Sequence, residues 1–391
     1  MSVFTHLFLP SLVAFMVVLM AFPKVLKVAL MKNIVDNPDA RKLQKQPIPV
    51  LGGIAVFFGL TFGFIMAMIS ADCAELFPVY AAMTVMLYVG TTDDILDLSP
   101  ALRFLVEIVV VSFMVIVSRC AINDFHGLFG LELIPMWVAV PLTVFAAVGI
   151  INAINLIDGV DGLSSGYCVM ACTMFCGMFY AVGHESMAIL AAVAAGAMIP
   201  FFFHNVFGLE SKMFIGDGGT LVMGTVMGIF VLNMLKAETL CEVYVSWGMG
   251  LVPLTLAILS IPVFDTVRVM STRIMRGTSP FHPDKTHLHH LFIDMGYSHI
   301  GTTCSILLLN LLNILAWYIS YRLGASVDVQ LYVVLAMAIL STFGFYGFMR
   351  LCQRRDSAPW RFMQRWAHIS RVERKGFFLW LQRIIDGTDA L

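Results

Sequence analysis

IPMWVAVPLTVFAAVGIINAINLIDGVDGL, residues 134–163, combines an apolar span with a polar motif. Residues 134–154 are almost wholly apolar and long enough to cross about 30 Å of hydrocarbon. A helix is the natural reading, because a helix satisfies its own backbone hydrogen bonds in lipid. Asn152, Asn155, Asp158 and Asp161 then emerge at three-residue spacing, sharing one face if the helix continues to Asp158. Gly159 and Gly162 permit sharp turns. A plain polar turn between helices accounts for the aspartates but not for two asparagines still inside the span.

Ten further apolar runs flank this one: 7–30, 51–69, 77–91, 102–117, 167–182, 187–203, 220–235, 247–264, 303–320 and 329–348. With 59% hydrophobic and 13% charged residues, no soluble domain of any size is left over. The expected fold is all-α: a polytopic membrane protein of about eleven transmembrane helices. Run 7–30 lacks a basic leader and a small-residue cleavage site, so it reads as a retained helix. Residues 1–350 form one membrane domain, and 351–391 a basic, aromatic tail suited to a helix in the headgroup region.

The net charge of −1 hides an asymmetry. Alternate loops on one side carry Lys32, Arg41, Lys42, Lys45, Arg103, Lys212, Arg268, Arg273, Arg276, Lys285 and the Arg-rich tail; the other side has Arg119, Lys236 and Arg322. The positive-inside rule predicts an external N-terminus and a cytoplasmic C-terminus. It also places Asp93, Asp94, Asp97, Asp158, Asp161, Asp217 and Asp265 together on the cytoplasmic side. Carboxylates near lipid are costly, so this concentration points to a metal-dependent site for a polyanion. Cys168, Cys172 and Cys176 line one helix face and read as small contact residues.

Five loops on that side carry the chemistry. In the first, Arg41, Lys42 and Lys45 precede Gly52 and Gly53, positive charge and close backbone approach suited to a lipid phosphate. In the second, Asp93, Asp94 and Asp97 form DDxxD, whose crowded carboxylates suit magnesium or a base working near neutral pH. The third is the asparagine–aspartate motif above. The fourth opens at Asn205, taken as substrate-binding, and places Phe214 and Asp217 before a glycine-flanked helix start, whose free N–H groups suit phosphate. The fifth carries Arg273, then His287, His289 and His290, suited to phosphate and sugar hydroxyls; no cysteines accompany them as zinc ligands.

Together these loops resemble the polyprenyl-phosphate N-acetylhexosamine-1-phosphate transferases over roughly residues 35–296. The carriers are PxPxxGG after the basic loop, DDxxD, NxxNxxDGxDGL, GDxG and the histidine-rich last loop. HLHH at 287–290 and eleven spans are similar to the branch that uses UDP-N-acetylglucosamine and initiates O-antigen, enterobacterial common antigen or teichoic acid linkage synthesis. The peptidoglycan branch, which transfers a MurNAc-pentapeptide phosphate, has a different histidine run. The resemblance implies Lys45 on the lipid phosphate, Asn155 and Asp217 on magnesium (or manganese in its place), and Phe214 stacked on uracil. It further implies catalytic roles for Asp93, Asp94, Asp158, Asp161, His287, His289 and His290, with three histidines and Lys45 as the positive half of a clamp. One departure is Gln44, where the branch usually has histidine.

The expected reaction moves N-acetylglucosamine-1-phosphate from UDP-GlcNAc to undecaprenyl phosphate, releasing UMP. It takes place in a bacterial plasma membrane with the site facing the cytoplasm, in a homodimer by family analogy, and with no nucleic-acid partner. A transporter would carry its ionisable residues at mid-membrane, where only Glu107 lies, paired with Arg103 at i, i+4. A membrane prenyltransferase would also use DDxxD, but leaves the basic loop, GDGG and HLHH without a role.

Overall fold

A computed structural model describes residues 4–38, 44, 46–69, 71–281, 284–371 and 376–387. Its helices, in chain order, are α1 (Leu9–Met31), α2 (Gly52–Ala67), α3 (Phe77–Leu96), α4 (Pro100–Ser118), α5 (Met136–Leu156), α6 (Leu163–Ala181), α7 (Glu185–Phe207), α8 (Gly216–Leu235), α9 (Glu242–Ser246), α10 (Leu251–Ile258), α11 (Ser260–Met275), α12 (Leu288–Asp294), α13 (His299–Arg322), α14 (Val327–Ile339), α15 (Phe345–Arg354), α16 (Ala358–Ile369) and α17 (Gly376–Asp386). A two-stranded antiparallel ribbon, β1 (Val35–Asp36) with β2 (Ile48–Pro49), pairs Val35 with Pro49.

The protein is an all-α, multi-pass membrane protein. Among the described residues nine helical segments are long and apolar enough to cross a bilayer, and a bent pair makes ten. All eleven expected apolar runs are helical, but run 51–69 yields only the 16 residues of α2. At 1.5 Å per residue that is about 24 Å, short of a full hydrocarbon crossing.

Run 247–264 departs most from expectation: α10 and α11 meet at a 76° bend. Pro262 has no N–H to return to the Ile258 carbonyl, so the helical ladder fails there. Tyr167 Oη (2.5 Å) and Asn310 Nδ2 (2.9 Å) donate to that carbonyl instead. Asn310 Oδ1 accepts from the Ile261 N–H and the Ser260 hydroxyl. A broken helix survives at membrane depth only when its freed backbone groups are met in this way. The bend turns α11 toward the end of the bundle where the polar loops gather.

The bundle is built around α8. Every residue of α8 except Asp217 is buried, and α2, α3, α5, α6, α7 and α10 pack on it. Lipid offers no hydrophobic force between helices, so close contact depends on small residues. A Cβ on Gly53 would collide with the backbone of Gly218 and Gly219. The Gly52 and Gly53 N–H groups donate to the carbonyls of Phe214 (2.9 Å) and Ile215 (2.7 Å). The glycine pair expected to admit a lipid phosphate instead admits the backbone that begins α8.

The tail packs back on the bundle. Trp360 and Ala367 are buried, Arg371 Nη2 donates to the Gly296 carbonyl (3.2 Å), and Asp386 accepts from the Leu209 and Ser211 N–H groups.

Gly53→Val is expected to destabilise the protein by about 1–3 kcal/mol, since it overpacks against immobile backbone. Gly149→Ala, where nothing lies within 4 Å, is the control. Thermal unfolding in detergent measures both; equal midpoints would contradict the central packing.

Candidate active site

One cavity of about 1390 Å³ opens at the end of the bundle. Its walls draw on all five expected loops: Gln44, Asp93 and Asp94, Asn155 with Asp158 and Asp161, Asn205 with Phe214 and Asp217, and His289 with His290. Loops far apart in sequence therefore meet, as the sequence predicts. Arg41, Lys42 and Lys45 lie outside the described residues. Gln44 donates to Asp36 Oδ2 at 2.6 Å, folding the first loop back onto β1.

The deepest polar feature is the start of α8. Helix N-termini leave backbone N–H groups without partners, and this one is enclosed by α2 and α3 at the cavity end of the bundle. Asp94 reaches across from the end of α3: its Oδ1 accepts from the Asp217 N–H (2.8 Å) and its Oδ2 from the Gly218 N–H (3.2 Å). The N–H groups expected to hold phosphate are held by a carboxylate. Asp94, expected to serve as a base, also caps this helix from the end of α3 and lines the cavity. Asp93 is also committed, with Oδ1 accepting from the Leu98 N–H (2.7 Å) and Oδ2 paired with Arg103 Nη1 (3.0 Å).

Arg103 is the residue the sequence undersold. Its Nη1 also meets Asp217 Oδ2 at 3.1 Å, and its Nε lies 3.6 Å from Glu107 Oε1. The predicted Glu107 pair exists, but it is the foot of a longer chain: Asn152 donates to Glu107, and Arg103 joins the DDxxD loop to GDGG. An asparagine and a glutamate one turn inside apolar runs were the visible signal.

Asn155 Nδ2 donates to Asp217 Oδ1 (2.6 Å) and lies 2.8 Å from Thr220 Oγ1. That locks the amide and leaves Asn155 Oδ1 without a donor among the described residues. Magnesium takes hard oxygen ligands, and is held by one or two protein groups plus substrate phosphates. An amide oxygen and a carboxylate fixed side by side at the cavity wall fit that ion.

Asp158 differs from its neighbours. Its carboxylate is open to the cavity and has no hydrogen-bond partner among the described residues. Burial within the cleft, followed by the charges of Asp217 and Asp161, pushes its pKa up to about 7. Burial also pushes Asp161 upward, but the hydrogen bond from His299 and the charges of His299 and Lys212 outweigh it and hold the carboxyl below its usual range. His299 Nδ1 (2.6 Å) and Lys212 Nζ (2.5 Å) share its Oδ2. Lys212 also stands 5.9 Å from the centre of the Phe214 ring, which lines the cavity. Neither Lys212 nor His299 was singled out from sequence, because a lone basic residue at a loop or helix start has no pattern.

Asn205 bridges two loops, accepting from the Gly162 N–H (2.6 Å) and donating to the Met213 carbonyl (3.1 Å). Arg273, expected on substrate, spends its guanidinium on its own loop: Asp284 Oδ1 at 2.9 Å and the Pro280 carbonyl at 2.7 Å. It is buried and off the cavity wall.

The histidines also divide. His287 is buried with Nδ1 3.0 Å from Asp265 Oδ2, and Arg268 Nη2 holds Asp265 Oδ1 at 2.6 Å. Asp265 thus orients the run from behind. His289 packs on Gly159 and faces the cavity with His290. Burial, then neighbouring histidines, holds His289 well below the usual imidazole range; burial, then His287, lowers His290 to about 4. Both rings are shifted toward the neutral form, which suits hydrogen bonding, where the sequence expectation made them the positive half of a clamp. Lys32 and Lys212 supply positive charge among the described residues of the wall, and Arg103 stands behind it on Asp93 and Asp217.

A polytopic helical bundle with carboxylates, amides, imidazoles and two cations around one mouth is built for a polyanion at a membrane surface. The family model described as glycosyl transferase family 4 matches residues 76–235. The probable undecaprenyl-phosphate N-acetylglucosaminyl 1-phosphate transferase of Bacillus subtilis (strain 168) is 31% identical over 290 residues, 74% of this chain and 77% of the relative. The undecaprenyl-phosphate alpha-N-acetylglucosaminyl 1-phosphate transferase of Escherichia coli (strain K12) is 29% identical over 362 residues, 90% and 92% of the two chains. Its counterpart in Yersinia pestis is 31% identical over 347 residues, 87% and 89%. The chain belongs to glycosyl transferase family 4 and is an enzyme that transfers a sugar 1-phosphate.

Asp94→Ala is expected to cost about 0.5–2 kcal/mol through loss of the cap. Asp158→Asn, with no partner to lose, is expected to leave the unfolding midpoint within a degree or so. Parallel thermal melts in detergent decide it: an Asp94→Ala midpoint equal to wild type would remove the cap.

Proposed function

We propose that the enzyme transfers N-acetylglucosamine-1-phosphate from UDP-N-acetylglucosamine to undecaprenyl phosphate, leaving UMP and a lipid-linked diphosphate sugar. The observation carrying this is the Asn155–Asp217–Arg103 junction in a cavity open at the end of the bundle, in a chain similar over most of its length to transferases of that name. The charge asymmetry of the loops supports a multi-pass protein of a bacterial plasma membrane with this cavity facing the cytoplasm.

In this reading a lipid phosphate oxygen attacks the β-phosphorus of the donor in line. The bond from that phosphorus to the bridging oxygen breaks, and the electron pair leaves with UMP. A phosphomonoester has a second pKa near 6, so the nucleophile is largely ionised at pH 7. Positioning and charge stabilisation carry most of the rate. Asn155 and Asp217 hold magnesium, which supplies charge stabilisation for the diphosphate when bound. Arg103 spaces Asp93 from Asp217 and offsets their charge. Phe214 offers a face for uracil beside Lys212. His289 and His290 donate or accept hydrogen bonds to sugar or phosphate oxygens. Asp158, unpartnered and titrating near neutrality, takes the residual proton of the lipid phosphate; Asp93 and Asp94 hold the scaffold around it.

Purified protein supplied with undecaprenyl phosphate and a donor panel should release UMP from UDP-N-acetylglucosamine in preference to UDP-MurNAc-pentapeptide. Asp217→Asn should abolish release across a magnesium titration; near-normal rates would sink the metal assignment.

A carboxylate that must be ionised to accept a proton loses activity as pH falls through its pKa. Wild-type kcat/KM should therefore fall below about pH 7. Asp158→Asn should be at least tenfold slower and keep only the limb near 6 that belongs to the lipid phosphate. A variant retaining the limb near 7 would remove Asp158 from proton transfer.

A further inference from the structure

The opposite end of the bundle carries a second cluster. Helix α8 begins at the cavity and rises about 30 Å to Leu235. Helices α4 and α5 run similar distances, so residues 119–135 and 236–250 meet at the far face. One ligand atom each from Asp124, His126 and Glu242 lies within 4.8 Å of the others.

The histidine is the informative member. It is 8% exposed, and neither ring nitrogen has a hydrogen-bond partner among the described residues. Nδ1 stands 3.7 Å from Asp124 Oδ1, too far for a hydrogen bond, and Nε2 is buried without a partner. The backbone is shaped to present the ring: His126 adopts φ +50°, and its N–H donates to Asp124 Oδ1 at 2.7 Å. Glu242 comes from the first turn of α9 on a separate loop. Neither carboxylate pairs with a lysine or arginine among the described residues.

The two loops are already joined by Asn123 Oδ1, which accepts from the Ala237 N–H at 2.9 Å. Loop 119–135 is anchored by Thr143 Oγ1 on the Ile122 N–H and by Asp328 on the Phe129 N–H. The ligands therefore stand on tied backbone rather than free chain.

We propose that Asp124, His126 and Glu242 bind one transition-metal dication of the zinc class at the face opposite the active-site cavity, pinning the two loops together. Zinc takes both imidazole nitrogen and carboxylate oxygen, and three protein ligands leave a fourth position open. The imidazole disfavours calcium and magnesium, which take oxygen donors. Zinc–ligand bonds of about 2.0–2.1 Å separate tetrahedral ligands by about 3.4 Å, so the three atoms need close by little more than about an ångström.

The test uses the detergent-purified full chain, stripped by chelator and titrated with Zn²⁺ against a fluorescent zinc competitor, with thermal unfolding in parallel. Wild type should bind one zinc and unfold at a higher temperature with it. Glu242→Gln, at an exposed position, should weaken binding at least tenfold and abolish the thermal shift. His126→Gln should do the same; if that variant fails to fold, Glu242→Gln decides alone. Asp217→Asn, at the other face, should keep wild-type affinity. Zinc binding unchanged in Glu242→Gln but lost in His289→Ala, or no zinc held by wild type, would overturn the site.

Discussion

The architecture depends on enclosing the N-terminus of the central helix, α8, among its neighbours at the cavity end of the bundle and satisfying it there. Buried backbone N–H groups without partners cost free energy, and lipid supplies none. Asp94 meets the first N–H groups of α8, while Gly53 and Gly219 let α2 approach close enough to meet the preceding carbonyls. One contact thus fixes α2, α3 and α8 relative to one another. It also sets Asp217 at the mouth of the cavity, one residue from the turn made by Gly216 at φ +72°.

From that junction the carboxylates sort by what neutralises them. Asp93 and Asp217 share Arg103; Asp161 is held by His299 and Lys212; Asp265 faces Arg268 and His287. Buried charges paired this way are costly to break, because removing one partner strands the other. Asp158 has no such partner among the described residues, and this separates it from the paired carboxylates. The same kind of burial that raises Asp158 lowers His289 and His290, so the two rings meet the cavity shifted toward the neutral form.

The bend between α10 and α11 serves the same end. Asn310 and Tyr167 accept the cost of broken helix, and the chain gains the angle that brings Asp265 and Arg268 behind the last loop. Arg273 then ties that loop to itself through Asp284, whose carboxyl is held down to about 2 once the Arg273 hydrogen bond outweighs burial.

Much of this was legible in the sequence. Apolar length announced the helices, because the thickness of hydrocarbon dictates it. Charge bias grouped the loops, and the spacing of Asn155, Asp158 and Asp161, with GDGG and HLHH, marked the site and its family. Those signals are local or statistical, and a single chain carries them. What only the tertiary structure decided was which carboxylate is spent and which is free. The partners of Asp93, Asp94 and Asp161 come from other helices: Arg103 on α4, the start of α8, and Lys212 with His299. Ionisation and hydrogen bonding are set by distances across the bundle, so adjacent aspartates that look alike in sequence hold different chemistry in space.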